Sequence, residues 1–270
     1  MKEGDFMDEI LPTLVDERLQ MTSIPKIIMQ TWKNTIIPLK WKTSPESISR
    51  YMPDWMYALM TDDDNLRFVQ EHFPQYVKMY ESFPHAIQRA DVIRYMWLYV
   101  HGGLYLDLDY ELQEPLDKLF YIDADLYFMN SNNVGAYITN SIMACKPYHP
   151  FWLELLEAIE ENQNNPKFWA KGKHLEVMMS TGPGILSQVL RSSKHSYHTI
   201  SQKLLCPQSI CHEPNYGGMM RLLEGSSWAE WDTKTMNWCY CNPEMAIIVG
   251  LLLFLFLILL LVMVARSFRR

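Results

Sequence analysis

The sequence predicts an α/β domain followed by a single membrane-spanning helix. Three observations carry that expectation. Between Ala86 and Asp109 the apolar period changes from helical to strand-like across a Gly-Gly pair. Elsewhere, short apolar runs alternate with amphipathic stretches and are bounded by proline and polar clusters. Finally, Ala246 to Ala265 is one unbroken apolar run. The 270 residues accommodate one full-sized domain with an ample core.

The expected partition has four parts: an acidic leader (1–22), the α/β domain (23–243), the apolar helix (246–265) and a basic tail (266–270). The domain opens with IPKIIMQTW, Ile24 to Trp32. Ile27, Ile28 and Met29 form a short apolar run, as in a strand buried on both faces. Gln30, Thr31 and Trp32 follow at its C-terminal end, where open α/β sheets bind ligands. Trp32 suits stacking on a nucleobase as well as ordinary packing. A short helix is expected near Glu46 to Tyr51 and a second strand over Trp55 to Met60. Thr61-Asp62-Asp63-Asp64 then reads as a helix cap with acids in the first turn. Asp62 and Asp64 form a D-x-D pair, but capping explains them. Pro74 opens another helix, which ends near Ser82.

The central stretch reads RADVIRYMWLYVHGGLYLDLDY, Arg89 to Tyr110. Ala86, Ala90, Ile93, Trp97 and Val100 recur at helical steps. Gly102 and Gly103 suit the end of that helix. Leu104, Leu106 and Leu108 should then face one way, and Tyr105, Asp107 and Asp109 the other. On one strand the two acids stand roughly 7 Å apart at Cα. Two carboxylates so placed suit an oxygen-ligated divalent cation carrying a diphosphate. Asp91 and Arg94 are three apart and share a helix face.

Strands are expected over Leu126 to Met129 and Ala136 to Ala144, the second holding Asn140. Phe151 to Glu160 reads as an amphipathic helix with Trp152, Leu155, Leu156 and Ile159 on its apolar side. A helix over Ile185 to Leu190 follows Gly182-Pro183-Gly184. The rest, to Pro243, reads as irregular. It holds Cys206, Cys211, Cys239 and Cys241, which in a luminal domain can form two disulfides.

The apolar run matches a hydrocarbon core of ~30 Å. Arg266, Arg269 and Arg270 follow it, so the positive-inside rule places the tail in the cytosol and the domain in an endomembrane lumen of Golgi or ER type. Met1 to Gln20 lacks the apolar core of a signal peptide, which keeps a cytosol-facing, tail-anchored arrangement open. The formal charge of −7 argues against a nucleic-acid partner.

The central stretch, with IPKIIMQTW, TNSIMACKPYHPF and STGPG in order around it, resembles the DXD-type retaining glycosyltransferases. The similarity lies nearest the Golgi α-mannosyltransferases that initiate outer chains and the inositol-phosphoceramide mannosyltransferases, and more distantly the bacterial glucosylating toxins. It covers roughly Ile24 to Leu190. The resemblance implies a GT-A fold, a Rossmann-like domain with a mixed sheet. It implies Mn²⁺ or Mg²⁺ on Asp109 and Asp107, with Asp91 and Arg94 holding the donor sugar and diphosphate. Tyr105 and Asn140 would line the donor pocket, and Trp32, with Gln30 and Thr31, would lie near the base. A late loop would close the site. Its candidates are His212, as a metal ligand, and Ser227 and Trp228.

The implied reaction moves a hexose, mannose from GDP-mannose foremost and otherwise from a UDP-hexose donor, onto a lipid such as inositol-phosphoceramide. A glycan or protein acceptor, and a non-catalytic nucleotide-sugar-binding protein, stay open. No carboxylate pair stands out as a glycosidase nucleophile and acid, and the His and Asp cluster of a two-metal phosphohydrolase is missing.

Overall fold

Strand β1 (Ile27–Thr31) sits inside the sheet, with Ile27, Ile28, Met29 and Gln30 all buried. The computed structural model describes residues 24–120, 124–130, 138–205, 218–224 and 230–267. β1 pairs in parallel with β2 (Met56–Met60) and β3 (Gly103–Leu106). β3 pairs antiparallel with β6 (Ile138–Cys145), and β6 antiparallel with β5 (Leu126–Asn130). β7 (His198–Ser201) joins β5 in parallel, giving the order β2-β1-β3-β6-β5-β7. The sheet is mixed, as expected. β4 (Tyr110–Leu112) and β8 (Met220–Leu222) form a separate antiparallel ladder.

Alternation along the strands divides the core in two. Ile27, Met29, Tyr105, Phe128 and Met143 face one side. Ile28, Leu104, Leu106, Tyr127 and Ile142 face the other. The first face is covered by α4 (Ala86–His101), α5 (Phe151–Asn164) and α7 (Pro183–Ser192). The second packs against Ile48 of α1 (Thr43–Tyr51) and Leu112 of β4. Every residue of α4 from Asp91 to Leu98 is buried, so it is a core helix without a solvent face. Its first turn behaves differently: Ala86 is exposed and Ala90 half-buried.

Thr61 caps α2 (Asp62–His72): its side chain accepts from Asp64 N while the Asp64 carboxylate accepts from Thr61 N. The capping reading of Asp62–Asp64 therefore holds. α3 (Val77–Ser82) follows a single turn at Pro74.

Gly102 and Gly103 link α4 to β3 at φ 64° and 81°. A Cβ on Gly103 would lie 2.5 Å from both the side chain and the carbonyl oxygen of Ile27. Both the dihedral and the space demand glycine. Gly103→Ala is expected to cost about 3 kcal/mol, through left-handed strain and overpacking together. Thermal unfolding in detergent checks this, and a shift of only a degree or two would contradict it.

Several expectations need correction. β3 ends at Leu106, so Asp107 and Asp109 do not share a strand. They lie in the turn joining β3 to β4, closed by Tyr110 N donating to Asp107 O at 3.3 Å. Helix α6 (Lys173–Ser180) and strand β7 lie in segments with no expected element. Helix α8 (Trp231–Cys241) occupies part of what was expected to be irregular. Helix α7 starts earlier than expected, with Gly182 as its cap and Pro183 in its first turn. Cys239 is a free thiol and Cys241 is disulfide-bonded, so the four late cysteines do not form two disulfides.

The chain divides into two compact units: residues 1–209 with 213–228, and 210–212 with 229–270. In the second, α8 leads into α9 (Pro243–Ser267). Pro243–Val264 is long and apolar enough to cross a membrane, and none of it is buried. Trp231 and Trp238 are exposed in the preceding helix, the residue type favoured at membrane interfaces.

Candidate active site

A cavity of about 610 Å³ opens at the C-terminal ends of the three parallel strands. β1 supplies Thr31, followed by Trp32 and Lys33. The chain after β2 supplies Asp62, and β3 supplies Tyr105, followed by Asp107, Leu108 and Asp109. Strand ends are where an α/β sheet places ligands, because loops diverge there and leave a crevice. The first turns of α4 contribute Ala86, Ile87 and Ala90, and the two alanines leave room. Trp41, Pro84, His85 and Lys173 complete the wall. Leu108 lies on it too, so the strand alternation ends with the turn.

Beneath the cavity Arg94 holds the acids in register. It is buried, yet its donors find partners. Nη1 donates to Asp107 Oδ1 and to Asn140 O, both at 2.9 Å. Nε donates to Ala90 O at 3.0 Å, and Nη2 lies 3.2 Å from Asp91 Oδ1. The guanidinium also stacks 4.5 Å from the Tyr105 ring centre. Tyr105 donates its hydroxyl to Asp107 Oδ1 at 2.5 Å. Asp91 accepts from Asn140 Nδ2 at 2.8 Å and from Thr181 Oγ1 at 2.9 Å. Helix α4, strand β6 and Thr181, the C-cap of α6 (Lys173–Ser180), are thus tied through one buried network. Satisfied networks of this kind fix geometry.

The charges follow. Burial opposes the Arg94 charge, but Tyr105, Asp107 and Asp91 outweigh it and hold its pKa above the ordinary value. Burial pushes Asp91 up to about 6, against the pull of Arg94. Burial likewise raises Asp107. Asp109 is pushed up to about 7, by burial first and by the Asp107 charge second. Its Oδ1 is buried without a hydrogen-bond partner. Trp32 Nε1, on the same cavity, is a buried donor without a partner. Unsatisfied buried polar atoms are uncommon, and here an acceptor and a donor belong to two residues that line one crevice.

The other expected residues fall as follows. Thr31 lines the cavity, with its hydroxyl donating to Met60 O and accepting from Asn65 Nδ2. Trp32 packs edge-on against Trp41, ring centres 5.0 Å apart. Gln30 is fully buried below the wall. It donates to Asp107 O at 3.2 Å and to Ser44 Oγ at 2.9 Å, and accepts from Tyr57 OH at 2.9 Å. Asn140 is buried in the Arg94 network. His212, Ser227 and Trp228 lie outside the described residues. The segment just before Ser227 reaches the site: Leu223 N donates to Asp109 O at 2.6 Å, and Trp41 Nε1 to Glu224 O at 3.0 Å.

Thr181, Trp41, Lys33 and Lys173 went unassigned in the sequence. Lys33 adjoins Trp32 and Thr181 lies within STGPG, so position along the quoted motifs was the available signal. Lys173 has no local signal at all.

An acid pair and two lysines around a crevice at the strand ends offer groups of both signs, able to pair with a cation and with an anion. With the mixed sheet, they define the class as a nucleotide-sugar-type glycosyltransferase. Residues 38–134 match the family described as "Glycosyltransferase sugar-binding region containing DXD motif". Inositol phosphoceramide mannosyltransferase 2 of Schizosaccharomyces pombe is 32% identical, over 92% of this chain and 71% of that protein. Mannosyl phosphorylinositol ceramide synthase SUR1 of Saccharomyces cerevisiae is 32% identical, over 79% of this chain and 54% of its own. Among solved structures, the PaToxG glycosyltransferase superposes with a TM-score of 0.51 at 16% identity, covering 71% of this chain and 79% of that one. That likeness concerns the fold. The chain belongs to the DXD-motif glycosyltransferase family that includes the inositol phosphoceramide mannosyltransferases.

Proposed function

We propose that this glycosyltransferase moves mannose from GDP-mannose to inositol phosphoceramide, with retention of configuration and with Mn²⁺ or Mg²⁺ in its site. The observation that carries the site assignment is the orphaned Asp109 Oδ1 beside Asp107 at the strand ends. Among the described residues no cluster of three or more His, Cys, Asp and Glu side chains forms. Two carboxylates nevertheless suit a cation that takes its other ligands from phosphates and water. Asp109 and Asp107 would hold it, with His212 as a further candidate. The bound ion would supply charge neutralisation for the departing diphosphate.

The chain's own residues do the rest. Lys33 and Lys173 bring positive charge to the cavity wall for the diphosphate. Trp32 offers a ring face and an indole N–H to the base. Ala86 and Ala90 leave space for the sugar. Tyr105 and Arg94 fix the Asp107 carboxylate. Gln30 and Asn140 act as positioning residues, since their bonds run to Asp107 O and Asp91. The bonds from Leu223 and Trp41 support Ser227 and Trp228 as donor-site residues.

Calorimetry with GDP-mannose, UDP-glucose and UDP-galactose, with and without Mn²⁺, tests the donor. Product analysis on lipid and oligosaccharide acceptors tests the acceptor. Labelling of a glycan with no labelled lipid would reject the lipid reading. The metal assignment also has a pH signature. With a pKa of about 7, Asp109 carries a proton below that pH. Cation binding must displace it, so Mn²⁺ affinity should fall roughly tenfold per pH unit below 7 and level off above. Titrations at several pH values read this, and a flat profile would remove Asp109 from the ligand set.

We place the domain in an endomembrane lumen. The arginines after the apolar helix support this, as does the disulfide at Cys241 on the domain side. Protease added to sealed microsomes should spare the domain; its digestion would reverse the orientation.

A further inference from the structure

We propose that the rim of this cavity docks onto an anionic lipid surface through two loops, residues 33–42 and 165–173. The chain carries a net charge of −7, yet each of these loops holds three lysines and no acid. The first reads KNTIIPLKWK and the second NPKFWAKGK. Each also exposes a large apolar pair. Ile36 and Leu39 are 77% and 88% exposed; Phe168 and Trp169 are 84% and 49% exposed. A single exposed apolar side chain means little. Two loops with the same composition, on one cavity, are a pattern.

The loops are tethered at their bases. Trp41 is buried and bonded to Glu224 O at 3.0 Å, and Ile36 N donates to Asn34 Oδ1 at 3.0 Å. Lys167 Nζ donates to Gln188 Oε1 at 2.7 Å, and Lys171 N to Trp169 O at 2.9 Å. Short fixed backbones therefore present the apolar pairs to solvent. Both loops give residues to the cavity wall: Lys33 and Trp41 from the first, Lys173 from the second.

The chemistry of that cover is read from the side chains. Apolar tips entering the acyl boundary, with lysines on stems long enough to stay at headgroup level, suit a bilayer. Lys40 lies over the Trp41 ring, 4.7 Å from its centre, and Lys42 is 3.7 Å from Glu46. The Lys42 pair is exposed on both sides and screens its charge only weakly. The chain also carries a helix able to cross a membrane, so a bilayer is always within reach. An acidic protein would satisfy the lysines and leave the apolar tips without a cover. Docking would let an acceptor headgroup enter the cavity while its tails stay in the bilayer. That consequence rests on the lipid-acceptor reading; the docking itself does not.

Hydrogen exchange on the full chain in nanodiscs tests it. The probes are phosphatidylcholine alone and phosphatidylcholine with phosphatidylinositol. A lysine at an anionic surface adds on the order of fivefold to partitioning. Exchange over 33–42 and 165–173 should be slower by about tenfold or more in the anionic discs, given several such lysines. Equal exchange in the two discs would overturn the proposal. The combined variant Ile36→Ser, Leu39→Ser, Phe168→Ser and Trp169→Ser should abolish the protection, because the lysines alone lack the apolar half of the signal. These side chains are exposed, so the fold should survive, and undiminished protection would also overturn the proposal. If no lipid is ever mannosylated the exchange readout still stands, so the two readings fail separately.

Discussion

Asp109→Asn is expected to abolish transfer and at the same time make the protein more stable above neutral pH. The half-buried carboxylate has a buried, orphaned oxygen and the Asp107 charge beside it. Its pKa of about 7 lies above the ordinary 3.8. For an acid raised on folding, the native state binds the extra proton between those two values. Stability therefore declines as pH rises across that window, and the full penalty is present above it. A neutral amide removes that penalty, leaving only an imperfectly bonded polar group. The gain should be about 1–2 kcal/mol above pH 7 and vanish at acid pH. Loss of transfer should be on the order of a thousandfold or more, the scale of removing a main electrostatic stabiliser. Mn²⁺ should raise the melting temperature of the wild type but not of the variant. Transfer assays and thermal unfolding on one preparation read both effects. Metal-stimulated activity in the variant, or a loss of stability at high pH, would sink the assignment.

Much of the fold around this cavity was legible because its signals are local. The buried run Ile27 to Met29, the helical spacing through Trp97 and the Gly-Gly turn each follow from neighbouring residues. The end of β3 was not legible, because the apolar–polar alternation runs on through Leu108 while the backbone has already turned. A turn bond, not periodicity, ends that strand: Asp107 N still donates to Ser141 O in the register of β6, and Tyr110 N then turns back to Asp107 O. Helix α8 escaped for a related reason. Of its residues only Thr233 is buried, so it carries no apolar stripe to read. The Arg94 network is nonlocal. Asn140 and Thr181 reach Asp91 from 49 and 90 residues away, and no spacing rule connects them. Lys173 joins the cavity in the same way, through the packing of α6.

Arg94→Gln should produce the largest loss of stability and should inactivate the enzyme as well. Removing the cation leaves Asp91, which is buried, and Asp107, which is half-buried, without their charged partner. Breaking a buried pair in this way costs on the order of 3–5 kcal/mol. Arg94→Lys should fall between, since one ammonium cannot reach Asp107, Asn140 O, Ala90 O and Asp91 together. The informative variant is the double one, Asp91→Asn with Arg94→Gln. It removes a buried anion along with the cation, and should recover roughly half of the lost stability by matching neutral groups. It should not recover transfer, because Asp107 Oδ1 keeps only the Tyr105 hydroxyl and still lacks the charged donor. The split between binding and turnover then separates two roles. Arg94 is buried, and its bonds run to protein atoms. It acts on the donor through Asp107, so the double variant should bind GDP-mannose within about tenfold of the wild type while kcat falls far more. If donor affinity collapses with kcat, Arg94 touches the diphosphate directly, and the cavity must open toward it when the donor enters.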